Sequence, residues 1–140
     1  MDYKIEIKTY KLKEAIGEKV NSPEIAFSAL KDDFNAIQEE LYLLLLGPEN
    51  KIIEKILVAK GSLSSTTIDP ASIFRNVLLS RGNSFILAHN HPSGDVTPSE
   101  EDLLFVKNVM KGARTVGLTF VDNLIYSDKK FLSFKKEHLL

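Results

Sequence analysis

The stretch Ser84-Phe85-Ile86-Leu87-Ala88-His89-Asn90-His91-Pro92-Ser93-Gly94-Asp95-Val96-Thr97-Pro98-Ser99-Glu100-Glu101-Asp102 changes character twice, and both changes bear on the fold. Ser84 to Ala88 is short and apolar, as expected of a buried strand that ends at His89. A polar loop is predicted from Asn90 to Val96, with Ser93 and Gly94 as loop formers. Thr97-Pro98-Ser99-Glu100 then places a capping residue, a proline and a glutamate in capping-box order, which predicts a helix from there to about Arg114. That helix is expected to bury Leu103, Val106, Val109 and Met110. A strand, a polar loop and a helix in succession, with the histidines at the strand's end, is the beginning of an α/β unit.

The same pattern continues on both sides. Downstream, Gly117 breaks the helix, and Leu118 to Tyr126 and Phe131 to Phe134 are predicted strands around a turn at Ser127-Asp128-Lys129. Upstream, Asp69-Pro70 signals a helix to about Ser80, and Leu41 to Leu46 is continuously apolar, as in a central strand covered on both faces. The turn Gly47-Pro48-Glu49-Asn50 joins it to a second strand, Ile52 to Val58. Ser22-Pro23-Glu24 opens a further predicted helix, to about Asp33. Tyr3 to Leu12 begins by alternating apolar and polar residues and is read as an outer antiparallel strand. The expectation is one α/β domain over residues 1–140, a mixed central sheet with helices on its faces, in which about 1–37 form an N-terminal strand and helix.

Composition restricts the chemistry. The chain has 140 residues, no cysteine and a formal net charge of −1. Without thiols there is no disulfide framework and no thiolate zinc site, so His, Asp and Glu are the available strong metal ligands. Balanced charge with scattered lysines gives no electrostatic footprint for nucleic acid. The N-terminus lacks the basic start and apolar core of a signal peptide, and no apolar run is long enough to span a bilayer, so a soluble cytoplasmic protein is expected.

Two of the three histidines lie in His89-Asn90-His91. Residues two apart in extended backbone project to one side, so both imidazoles can meet one ion. A helix starting at Thr97 or Pro98 shows Asp102 in its first turns, facing back toward the loop, where the helix N-terminus favours negative charge. Two nitrogens and one carboxylate oxygen leave a fourth tetrahedral place for water, the arrangement of a catalytic zinc, which lowers the pKa of that water to about 7. A general base has to come from elsewhere, and Glu39 and Glu40 at the head of the central strand are the candidates, facing opposite ways. Ser99 offers a hydroxyl to a developing oxyanion, and it and Asp102 also suit a helix start. Asp95 and Asp122 are assigned to turn and surface roles.

His89, Asn90, His91 and Pro92, followed after six residues by Ser99 and after two more by Asp102, resemble the signature of the JAB/MPN (JAMM) metalloproteases. The wording His-Asn-His-Pro-Ser-Gly-Asp is similar to the RadC branch of that family. The resemblance runs from about Gln38 to the end of the chain, and includes Gly61-Ser62-Leu63 and Val121-Asp122. It implies a three-layer, cytidine deaminase-like domain in which His89, His91 and Asp102 hold zinc and Ser99 supports the oxyanion. It also selects Glu39 as base and implies hydrolysis of a peptide or isopeptide bond in a peptide or protein substrate. Asn123 departs from the pattern, since many RadC proteins carry a histidine there. No helix-hairpin-helix segment is expected at the N-terminus, so the family's association with DNA repair is not carried over as a primary expectation. A non-catalytic, metal-containing interaction module and a repair accessory protein are the alternatives. A zinc deaminase is excluded by the missing cysteines, and an HNH nuclease because those letters mark separated positions there.

Overall fold

Leu41 to Leu46 lies at the centre of the molecule, and the reason is visible side chain by side chain. In the computed structural model, which describes residues 8–10, 17–61, 68–80 and 82–140, Glu40–Leu46 (β2) has neighbours on both edges and cores on both faces. Leu41, Leu43 and Leu45 enter one core; Tyr42, Leu44 and Leu46 enter the other. Strand alternation therefore divides a run of apolar residues between two layers, and each fully buried leucine contributes roughly 1.5–3 kcal/mol.

The other strands are Lys8–Tyr10 (β1), Ile52–Lys60 (β3), Ser84–Asn90 (β4), Thr119–Tyr126 (β5) and Phe131–Ser133 (β6). They form a six-stranded sheet in the order β1-β3-β2-β4-β5-β6. β4 and β5 pair in parallel and every other pair is antiparallel, so the sheet is mixed. The helices Pro70–Leu79 (α2) and Glu100–Val116 (α3) cover one face through Ile73, Val77, Phe105, Val106, Val109 and Ala113. Pro23–Ser28 (α1) covers the other with Ala26, followed by Ala29 and Leu30. The result is the three-layer α/β/α domain expected from the sequence. Of the predicted outer strand, Lys8–Tyr10 pairs antiparallel with β3; residues 3–7, 11 and 12, like Ser62 and Leu63, lie outside the described residues.

Several boundaries differ from the sequence expectation. The first helix ends at Ser28, and a single 3-10 turn, Lys31–Asp33, replaces its second half. The wholly buried Lys55 accounts for this: its ammonium donates to the Ala29 carbonyl at 3.3 Å and pairs with the Asp33 carboxylate, which needs the chain to turn. β4 extends through His89 and Asn90, so Asn90 belongs to the sheet and not to the loop. α3 starts at Glu100 with Ser99 as its cap, because Thr97 is held in a separate turn by Asp95, whose Oδ1 accepts its N–H and hydroxyl at 3.0 and 2.7 Å. With that start Phe105 turns inward, Leu103 is 41% exposed and Met110 is half-buried. Gly117, at φ 76°, ends α3 in the left-handed conformation that favours glycine.

Candidate metal centre

His89 and His91 reach one side of the sheet because the backbone is extended through both. Phe85, Leu87 and His89 alternate on the face that α3 covers, and the His91 N–H continues the ladder by donating to the Tyr126 carbonyl at 3.1 Å. His89 is buried and His91 half-buried. The third group comes from the start of α3. Ser99 Oγ accepts the Asp102 N–H at 3.1 Å, and Asp102 Oδ2 accepts the Ser99 N–H at 2.8 Å, a complete capping box. The carboxylate that caps the helix thus faces the two imidazoles.

The three side chains converge. The two Nε2 atoms lie 3.2 Å apart; His89 Nε2 is 3.1 Å from Asp102 Oδ1, and His91 Nε2 is 3.2 Å from Asp102 Oδ2. Such lone-pair-bearing atoms repel unless a proton or cation stands among them. Tetrahedral zinc with bonds of about 2.0–2.1 Å sets its ligands about 3.3 Å apart, close to the separations found, so the donor set fits such an ion. Among the described residues, His89, His91 and Asp102 are the group able to hold a metal.

The electrostatics agree with that arrangement. Burial raises the Asp102 pKa, but hydrogen bonds from His89 and His91 lower it more, and the carboxyl is held well below the usual range. The hydrogen bond with Asp102 pushes the His91 imidazolium up; burial opposes this, and the Asp95 carbonyl and the charges of Asp102 and Glu39 add to it. His91 Nδ1 lies 2.7 Å from the Asp95 carbonyl oxygen, which can only accept, so Nδ1 carries a proton, and the neutral ring is left with Nε2 as the nitrogen that can bind a metal. Asp95 and the turn at Gly94, with φ 87°, thereby orient the ring as well as shape the loop.

The two candidate bases separate as the alternation requires. Leu41 lies opposite His89, and Glu39, two residues earlier, shares its face; the Glu39 charge acts on His91. Glu40 belongs with Tyr42 and Leu44 on the other face, and its charge acts on the buried Tyr126. Asn90, the middle residue of the tripeptide, was read from the sequence only as loop. It is fully buried: its Oδ1 accepts the Glu40 N–H at 2.6 Å, and its Nδ2 donates to the Asn35 and Gln38 carbonyls at 2.6 and 3.1 Å. It therefore ties the segment carrying Glu39 to the strand carrying His89. Asp122 is a correction too, being buried and not on the surface. Its carboxylate accepts from the Ser133 hydroxyl at 2.5 Å and from the Lys135 N–H at 3.0 Å.

The sequence model of the RadC-like JAB domain family matches residues 20–139. The chain belongs to this family. Among curated RadC-type relatives, a UPF0758 protein of Clostridium perfringens is 32% identical over 134 residues, covering 95% of this chain and 59% of the relative. UPF0758 protein YsxA of Bacillus subtilis is 35% identical over 122 residues, 86% of this chain and 53% of the relative. A UPF0758 protein of Aquifex aeolicus is 34% identical over 121 residues, 86% and 52%. The chain thus spans between about half and six-tenths of the length of these RadC relatives. Among the described residues no helix is long and apolar enough to cross a membrane.

Proposed function

We propose that this RadC-type domain is a zinc-dependent hydrolase that cleaves a peptide or isopeptide bond. The observation that carries this is the convergence of His89 Nε2, His91 Nε2 and the Asp102 carboxylate at separations of 3.1–3.2 Å. When bound by these three residues, zinc supplies a Lewis acid and a water nucleophile at neutral pH. Glu39, on the face of His89 and close enough for its charge to act on His91, accepts the proton the water gives up. The C–O bond forms as that proton leaves the water, and Glu39 then delivers it to the amide nitrogen as the C–N bond breaks. The Ser99 hydroxyl, whose oxygen accepts from the Asp102 N–H, keeps its own proton to donate to the carbonyl oxygen as charge develops there. Asn90 holds the backbone of the Glu39 segment against β4.

The test is elemental analysis of the protein purified without added metal, alongside Asp102→Ala, followed by hydrolysis of peptide and isopeptide libraries. One zinc per chain in the wild type, none in Asp102→Ala, and turnover only with zinc are expected. Stoichiometric zinc with no turnover on any library would make the domain a metal-containing interaction module; no metal at any zinc concentration would end the proposal.

A further inference from the structure

We propose that Asn123 is a positioning residue for His89, accepting the His89 Nδ1 proton through one enclosed water and thereby fixing the tautomer that turns a bare Nε2 toward the metal. This inference rests on the metal-centre reading above. A neutral imidazole that lends Nε2 to an ion carries its proton on Nδ1, and that N–H needs an acceptor. For His91 the acceptor is the Asp95 carbonyl. For His89, whose Nε2 faces His91 and Asp102, no described residue meets Nδ1.

Asn123 presents the complementary acceptor. Its side chain is wholly buried, yet neither its Oδ1 nor its Nδ2 has a hydrogen-bond partner. Leaving such a group unsatisfied costs about 1–3 kcal/mol, and a buried amide without a protein partner ordinarily meets an ordered water. The register brings the two residues together: in the parallel pair, Asn123 lies opposite Leu87 and Ile125 opposite His89. Leu87 and Ile125 belong to the core beneath α3, so by alternation Asn123 and His89 are diagonal neighbours on that same face. One water between them accepts from Nδ1–H and donates to Oδ1, giving a proton donor and a proton acceptor what each lacks.

The test uses the full chain as wild type, Asn123→Leu and Asn123→Asp. Zinc affinity is measured by chelator competition, metal-free stability by thermal melting, and the His89 tautomer by nitrogen-15 NMR of the zinc-loaded protein. Asn123→Leu should weaken zinc binding 10- to 100-fold while the metal-free protein still folds and melts cooperatively, because leucine is close to asparagine in size and suits the apolar residues Leu87 and Ile125 on that face. Asn123→Asp keeps an acceptor in place and should restore the affinity. His89 in the zinc-loaded wild type should carry its proton on Nδ1. Unchanged zinc affinity in Asn123→Leu, with a wild type that binds zinc, overturns the inference and leaves the metal centre standing. If Asn123→Leu does not fold, the wild-type spectrum decides, and a His89 protonated on Nε2 overturns it. A wild type that takes up no zinc removes the metal centre and this inference together.

Discussion

Ser99 and Asp102 hold each other in both directions: each side chain accepts the other's backbone N–H, at 3.1 and 2.8 Å. The carboxylate that meets the histidines is therefore fixed by the helix it caps, and Ser99 combines a structural duty with the proposed chemical one. Ser99→Ala should cost about 1 kcal/mol, a fall in melting temperature of roughly 3–5 °C for a domain of this size. Ser99→Gly should cost only a few tenths of that, because glycine is tolerated at the cap. Both variants lack the hydroxyl. If that hydroxyl donates to the oxyanion, both lose turnover alike on the substrate the wild type cleaves, while their melting temperatures differ. Turnover that follows stability would confine Ser99 to capping.

Glu39 and Glu40 are adjacent in sequence but act on opposite sides of the sheet, Glu39 on His91 and Glu40 on Tyr126. Glu39→Gln should retain one zinc and lose turnover by a factor on the order of 10²–10⁴, the usual contribution of a positioned base. Glu40→Gln should keep most of the activity. Parallel zinc and kinetic measurements on the two variants check this, and the reverse pattern would assign the base to Glu40.

What could be read from the sequence was what depends on near neighbours. The His89-x-His91 spacing needs only extended backbone, Asp102 needs only a helix start within three residues, and the run from Leu41 to Leu46 already implies two covered faces. Overlapping local signals were harder. Thr97-Pro98 and Ser99-Glu100 both look like helix starts, and the choice is made by Asp95, which takes the Thr97 N–H and hydroxyl into a turn. Asn90, Lys55 and Asp122 were not legible, because a polar residue becomes a core residue only through partners elsewhere in the chain. Asn90 finds its partners 50 to 55 residues away, and Lys55 finds Ala29 and Asp33 from another layer.

Asp122 also has a pH signature. Burial raises its carboxyl above the ordinary range, against the lowering effect of hydrogen bonds from Ser133, Lys135 and Asn123. A raised folded-state pKa means that the folded chain holds this proton more tightly than the unfolded one. The stability this gives is fully present below the unfolded value of about 3.9 and is lost as pH rises through the raised folded value. Asp122→Asn cannot titrate, so the stability of wild type relative to this variant should improve on going from pH 7 to pH 4.5. Urea unfolding midpoints of both proteins at the two pH values measure it. A relative stability that falls in acid would show that the hydrogen bonds outweigh burial, and a flat one that the two cancel.

Metal removal separates the two roles of Asp102. Because the three donors converge only in the folded chain, zinc binds the folded form, and at one hundred times its dissociation constant it should add about 2.7 kcal/mol. For this size of domain that is a rise in melting temperature on the order of 10 °C, reversed by a chelator. His89→Ala and Asp102→Ala should both abolish the rise, but they should differ without metal. Asp102→Ala also removes half of the capping box and the carboxylate on which both imidazoles close, so its metal-free form should melt below wild type. Melting curves of the three proteins with zinc and with chelator give the comparison. A zinc-dependent rise that persists in Asp102→Ala would mean that the ion sits elsewhere, and that the meeting of His89, His91 and Asp102 serves the helix start alone.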